Sequence, residues 1–275
     1  MKVTHDFHLH THLSLCAPDK TGTVENYIKS AKEQGIKKLG FAEHFWGSAP
    51  GDPEYYKNVQ MNPYNYYNTQ NFEYISQKKP ELEAAKGCGV ELYFGCEAEY
   101  DPFTHGVAVT EELAEKFDFM IVTNSHTHMM MPKSSYLPYN KHVEFMINAY
   151  EEIINSNVSK YITSMAHPFQ AVACPYGYEL LMNMISDDEY KRLFDKTANK
   201  GIAIEINTAD LLGKPEWKLD TMQKIRMFRL AKECGCKFTF GSDAHILSEF
   251  EPYSKADSVA DFLNLTQDDI TEIAR

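Results

Sequence analysis

Nine side chains spread along this sequence are of the types that hold divalent cations: His8, His10, Asp19, His44, Glu97, His126, His167, Asp243 and His245. A mixed set of imidazole and carboxylate donors suits zinc, manganese or iron, and the scarcity of paired thiols argues against a structural cysteine site. Taken singly, each has an ordinary reading. His44 could cap the strand it ends, Glu97 could pair with a lysine, His167 before Pro168 could be a turn residue, and Asp243 could start a helix. Taken together they recur at the ends of successive strands, which chance placement does not produce. Clustered cations suit hydrolysis of a phosphate ester. They neutralise the dianion, lower the pKa of a shared water, and align attack with the departing oxygen.

The elements that must position these groups follow from periodicity and punctuation. Lys2-Val3-Thr4 leads into Asp6-Phe7-His8-Leu9-His10-Thr11-His12 as a first strand, whose alternation puts His8 and His10 on one face. Further strands are predicted at 38–42 (ending in Glu43-His44), 90–96 (ending in Glu97), 118–123, 161–166 (then His167-Pro168), 202–206 and 237–240. Helical spacing predicts helices over 24–34 with a Gly35 stop, 72–86, a short one after Thr110, 141–155, 187–200, 219–234, 255–263 and 267–274. Residues 47–70, rich in Pro, Asn, Tyr and Gly, read as a long surface excursion, with Pro63–Asn68 as a lid or an irregular loop held by aromatic anchors. Seven strands alternating with helices favour a parallel sheet. A closed barrel gathers strand C-termini at one rim, where an open sheet would line them up, so converging ligands predict an α/β fold of the TIM-like barrel type.

With 275 residues and 43% hydrophobic content, the chain suits one domain spanning 1–275, and no apolar run reaches membrane-spanning length. The absence of a charged-then-apolar leader predicts a cytoplasmic protein. The net charge of −12 argues against a nucleic-acid partner. Cys16, Cys88, Cys96, Cys174, Cys234 and Cys236 form no CxxC pair and read as reduced thiols; zinc on Cys234 and Cys236 is the lesser reading, beside a helix stop at Gly235.

The successive segments Asp6-Phe7-His8-Leu9-His10-Thr11, Ala42-Glu43-His44, Gly95-Cys96-Glu97, Ser125-His126, Ala166-His167-Pro168 and Gly241-Ser242-Asp243-Ala244-His245 resemble the ordered motifs of the PHP (polymerase and histidinol phosphatase) superfamily. Chain length and the segments around Glu97 and 140–167 are most similar to its stand-alone histidinol phosphatases. The resemblance implies a distorted seven-stranded (β/α)7 barrel and three divalent ions (Zn, Mn or Fe). The first would take His8, His10, Glu97 and Asp243, and the second Glu97, His126 and His167. The third would take His44, His245 and one ligand from the loop after His10. Family members often place a histidine there in a Cys-x-His setting; this sequence has Cys16-Ala17-Pro18-Asp19, so Asp19 is the expected substitute and His12 its competitor.

The activity implied is hydrolysis of a small phosphate monoester by a metal-bound hydroxide, with L-histidinol phosphate going to L-histidinol and phosphate in histidine biosynthesis. Asp243 or His245 would move a proton to the leaving alkoxide. Alternatives are a PHP phosphoesterase of other specificity and a C–N amidohydrolase-type metalloenzyme; a nuclease accessory domain and a non-enzymatic metal binder fit less well. Relatives usually carry an arginine near the His-Pro motif or after the Glu-x-Asn of strand six. Here Glu205-Ile206-Asn207 is followed by Lys214, a phosphate anchor or a solvated loop lysine. Phe45 and Trp46 follow His44 and would stack on an imidazole-bearing substrate or pack the rim.

Overall fold

The first strand carries an irregularity that the rest of the barrel is built around. The computed structural model describes residues 1–171 and 174–275. Its strands are β1 (His5–Leu9), β2 (Lys38–Phe45), β3 (Glu91–Asp101), β4 (Gly106–Val107), β5 (Phe119–Thr123), β6 (Ile162–Met165), β7 (Ala203–Asn207) and β8 (Phe238–Gly241). All but β4 are parallel neighbours in the order β1-β2-β3-β5-β6-β7-β8. Asp6 pairs with Leu39 and Leu9 with Phe41, so three steps along β1 match two along β2. This bulge resets the alternation, letting Phe7 and His8 both turn inward. Phe7 packs on Phe119 (ring centroids 5.0 Å apart) and Tyr93, while His8 meets Glu205.

Glycines on β2 and β3 make room for those rings. A Cβ on Gly95 would lie 2.3 Å from the Phe119 ring, and one on Gly40 2.7 Å from the same ring. Residues 40, 42 and 44 pair with 93, 95 and 97, so His44 and Glu97 continue the same inward row above this floor.

The sheet comes back on itself between β8 and β1. Leu9 bridges Ala244, the Asp243 N–H donates to the His8 carbonyl (2.8 Å), and the His10 N–H donates to the Ala244 carbonyl (3.0 Å). Lower in this seam, side chains act as acceptors in place of backbone. Nε2 of His5 accepts from the Phe240 N–H (3.0 Å), and the Asp6 carboxylate from the Ser242 N–H (3.2 Å to each oxygen). Burial and nearby Lys38 bring His5 down to about 3, which keeps its ring neutral with a lone pair to offer. The result is the nearly closed, distorted (β/α)7 barrel that the family resemblance implies and with which the strand count agrees.

Helix α1 (Val24–Gln34) starts where Thr23 accepts from the Asn26 N–H and stops at Gly35, whose φ of 74° suits glycine. Several predicted elements differ. The predicted 72–86 helix breaks into Phe72–Ile75, a 3₁₀ turn and Lys79–Ala84, because Pro80 can only open a helix. The predicted 219–234 helix becomes Glu216–Leu219 and Gln223–Glu233, and 267–274 becomes two 3₁₀ turns. Strand β3 runs past Glu97 to Asp101 and turns into the hairpin strand β4, so Glu97 lies mid-strand rather than at an end. The 47–70 excursion contains helices Pro53–Tyr56 and Pro63–Thr69, each opened by an Asx cap and proline. No described helix is long and apolar enough to cross a membrane.

Candidate metal centre

Four donor atoms converge at the barrel mouth. His8 Nε2 lies 3.1 Å from His10 Nε2, 3.4 Å from Glu97 Oε2 and 3.4 Å from Asp243 Oδ1; His10 Nε2 lies 3.5 and 3.3 Å from the same oxygens. Donors placed tetrahedrally at ~2.0–2.2 Å from a zinc-like ion are about 3.3–3.6 Å apart, so the set has the span of a coordination shell. The second oxygen of Glu97 faces elsewhere. Oε1 is 2.8 Å from His167 Nε2 and 3.6 Å from His126 Nε2. One carboxylate thus serves two donor groups, an arrangement suited to a pair of divalent ions.

A further group, His10, His44 and His245, offers ring nitrogens within 4.8 Å of one another. His10 Nδ1 lies 3.9 Å from Glu43 Oε2, so the ring turns its Nε2 to the cluster. The donor chemistry of all three groups fits divalent cations.

The surrounding side chains fix these rings. Glu205 Oε1 accepts from His8 Nδ1 (2.7 Å) and Oε2 from the His167 N–H (2.7 Å). Glu99 accepts from His126 Nδ1 (2.9 Å), and Ser125 Oγ pairs with His167 Nδ1 (2.7 Å). Each ring therefore presents Nε2 to the centre, the tautomer a metal ligand needs. Asn207 donates to Asp243 Oδ2 (3.2 Å), leaving Oδ1 for the cluster. His167 and Asp243 adopt positive φ, 27° and 58°, strained values for these residue types that the surrounding hydrogen bonds impose.

Electrostatics follow the same layout. Burial opposes charging His8, but the carboxylates of Glu205, Asp243 and Glu97 outweigh it and hold the ring well above its usual range. His10 goes the other way, held well below by burial and the neighbouring His245 and His44. Burial works to raise Glu97, yet His44, His126 and His8 hold it well below the usual carboxylate range.

A family model, the PHP domain, matches residues 6–209. The chain belongs to the PHP domain family. No curated protein sequence matches it. Among solved structures, the PHP chain is similar to a proposed histidinol phosphatase, HisK, from Listeria monocytogenes (16% identity, TM-score 0.65, 89% of this chain and 96% of that one). It is also similar to histidinol phosphate phosphatase from Lactococcus lactis, solved with zinc, L-histidinol and phosphate (18% identity, TM-score 0.60, 96% and 95%). At these identities the likeness speaks to the fold.

Of the nine candidate ligands in the PHP chain, the structure brings together His8, His10, His44, Glu97, His126, His167, Asp243 and His245. Asp19 stands apart. It is exposed, and its carboxylate closes a turn by accepting from the Thr21 N–H (2.7 Å) and hydroxyl (2.6 Å). Its competitor His12 faces a separate cavity of about 600 Å³, with Val24, Ile28, Glu81 and Cys88. Cys16, in the same loop, is exposed, with Sγ 3.1 Å from Ser14 Oγ. Burial works to raise this thiol, but the nearby His245 and His44 bring it down to about 6.

Trp46 is a correction as well. It is fully buried rather than at the rim, because the 47–70 excursion folds over it and sets Tyr56 edge-on against the indole. Lys214 lies in the loop beyond β7, its N–H donating to the Leu211 carbonyl (3.2 Å), while nearby Asp210 pairs with Lys224. Arg192 pairs with Glu151 and Glu189, Arg226 with Asp187, Arg229 with Asp220, and Arg275 with backbone carbonyls. All four arginines are thus engaged away from the cluster.

Glu99, Glu205, Asn207 and Ser125 were not among the sequence candidates. Glu99 could have been found from its place two residues after Glu97 on the same strand face. Glu205 could not, since its partner His8 is 197 residues away. Beneath the site, Lys78 pairs with Glu43 (3.0 Å), and Glu43 accepts from the Thr11 N–H and hydroxyl, holding the loop after β1.

Proposed function

We propose that this PHP domain is a metal-dependent phosphomonoesterase acting on a small phosphate ester, with L-histidinol phosphate as the leading substrate. The observation that carries the reading is Glu97, whose two oxygens face separate donor groups, with His8, His10 and Asp243 on one side and His126 and His167 on the other. Divalent ions bound there would neutralise a phosphate dianion and bring a water's pKa toward neutrality. The chain's own residues supply position and proton handling. Glu205, Glu99 and Ser125 lock the imidazoles, and Asn207 holds one oxygen of Asp243.

Most ligand side chains are sealed, but Asp243 and His245 are 26% and 20% exposed. They are therefore the groups a substrate oxygen meets first, and the ones placed to return a proton to the departing alkoxide. Tyr66, from helix Pro63–Thr69, lies edge-on to His44 (5.7 Å), so the excursion forms part of the site's wall. With the arginines engaged elsewhere, phosphate affinity would depend on the cations.

The test is a comparison of kcat/KM for L-histidinol phosphate and other small phosphate esters, with zinc or manganese supplied. A preference above ~10-fold, about 1.4 kcal/mol of transition-state discrimination, supports the substrate assignment. Hydrolysis of an amide or amidine with no ester turnover would overturn the phosphoesterase reading.

A further inference from the structure

Three rings of the centre have a close partner for the nitrogen turned away from the cluster. His8 has Glu205 at 2.7 Å, His126 has Glu99 at 2.9 Å and His167 has Ser125 at 2.7 Å. For His10 that nitrogen, Nδ1, faces Glu43 Oε2 across 3.9 Å. Both residues are fully buried, and among the described residues neither atom has a hydrogen-bond partner. Two polar atoms that face each other away from water, each left unsatisfied at a cost, make a bond waiting to close. A movement of roughly 1 Å brings them to hydrogen-bond length.

The rest of Glu43 is held still. Its Oε1 accepts from the Thr11 N–H (2.9 Å), the Thr11 hydroxyl (2.6 Å) and the Lys78 ammonium (3.0 Å), so Oε2 is the oxygen left for the ring. Lys78 comes from the 3₁₀ turn Ser76–Lys78 and is 1% exposed; its other acceptor is the Phe41 carbonyl at 3.5 Å. The His10 backbone is fixed separately, its N–H donating to the Ala244 carbonyl and its carbonyl accepting from the Tyr27 hydroxyl (3.1 Å). What this leaves to be set is the rotation and tautomer of the imidazole, and Glu43 is the group that meets it. A buried ion pair adds little stability over a well-packed apolar pair, so the consequence of this one lies in the ring it faces.

We propose that Glu43 is the positioning residue for His10, and that Lys78, which bonds no donor of the cluster, sets cation affinity through it. The proposal rests on the reading of this barrel mouth as a multi-cation centre. A cation on Nε2 draws electron density from the ring and makes the Nδ1–H a stronger donor, and the Glu43 carboxylate is its acceptor. Lys78 keeps Oε1 turned away from the ring and gives a counter-charge to a carboxylate otherwise buried alone.

The experiment is zinc titration of the full-length, metal-stripped protein, followed by nuclear magnetic resonance of isotope-labelled histidine rings. In Glu43→Gln the His10 ring should need ~10–100-fold more zinc, while His126 and His167 respond as in the parent. In the loaded parent the His10 Nδ1 proton should lie downfield, bonded to a carboxylate, and move upfield in Glu43→Gln. Lys78→Met combined with Glu43→Gln is the second variant. It should regain part of the denaturant stability that Lys78→Met loses, with the His10 response still weak, whereas a merely structural pair would regain both.

A parent-like His10 response in Glu43→Gln, equal weakening at every ring, or a double variant that regains affinity as well as stability would overturn the proposal. The expected His10 pattern together with no ester hydrolysis would sink the phosphoesterase reading and leave Lys78 and Glu43 in their roles. Hydrolysis with an unchanged His10 response in Glu43→Gln does the reverse. A parent that takes up no zinc would end both.

Discussion

Gly241→Ala is the sharpest test of how the centre is supported. A Cβ at residue 241 would lie 2.1 Å from Glu205 Oε1 and 2.5 Å from the His8 Cβ, where ordinary contact is 3.4–4 Å. The His8 side is the strand itself, so the Glu205 carboxylate must give way. Its bonds to His8 Nδ1 and the His167 N–H are both 2.7 Å, and a retreat of roughly 1 Å takes them beyond the ~3.5 Å limit of a useful hydrogen bond. Each bond to a buried charged group is worth ~1.5–3 kcal/mol, and overpacking alone costs ~1–3 kcal/mol, so a stability loss of at least ~3 kcal/mol is expected. His8 also loses the partner that fixes its tautomer, which should weaken cation affinity ~10–100-fold. Urea unfolding and zinc titration measure the two effects separately. Gly106→Ala is the control: its Cβ would come no closer than 3.4 Å to Ser156 and should cost less than ~1 kcal/mol. If Gly241→Ala matches that control in both assays, Glu205 does not hold the site in the way described.

Three other perturbations follow. Asp243→Ala should abolish phosphate-ester turnover in a folded protein, and near-normal kcat would exclude Asp243 from the chemistry. Lys78→Met leaves the buried Glu43 charge without its cation, with only the Thr11 donors left, which should cost ~3–5 kcal/mol in denaturant unfolding. Adding Glu43→Gln should recover part of that loss, and strict additivity would argue against the pair. His5 has a folded pKa of about 3 against 6.5 when unfolded, so the unfolded chain takes up the proton first. Its contribution is present above pH 6.5 and lost as pH falls toward 3, by up to about 5 kcal/mol at ~1.4 kcal/mol per unit. Relative to His5→Gln, wild-type stability should fall more steeply across that window, and parallel curves would refute the buried neutral ring.

The sequence revealed what depends on residue type and local period. The seven parallel strands and the bounds of α1 were legible because each strand or cap announces itself within a few residues, although β3 runs on past Glu97. What was hidden depends on how the chain turns. No local signal marks the bulge in β1, or shows that Asp19 would spend its carboxylate on Thr21. Trp46 read as a rim residue because the aromatic excursion that buries it lies later in the chain. Apolar spacing runs on through 72–86, but Pro80 can only open a helix, so the segment breaks before it. Glu205 and Asn207 were visible as a strand-end pair, but their partners His8 and Asp243 come from the far ends of the sequence.

The seam between β1 and β8 has a bearing on how the molecule opens. His8 and His10 lie on one lip of it and Asp243 and His245 on the other, so cations gripped by both would act as rivets joining the first strand to the last. Stripping them should loosen that join before any other part of the barrel. Amide hydrogen exchange at His10 and Asp243 would then quicken while the β2–β3 ladder stays protected, and uniform quickening would show that the rivets carry no mechanical load.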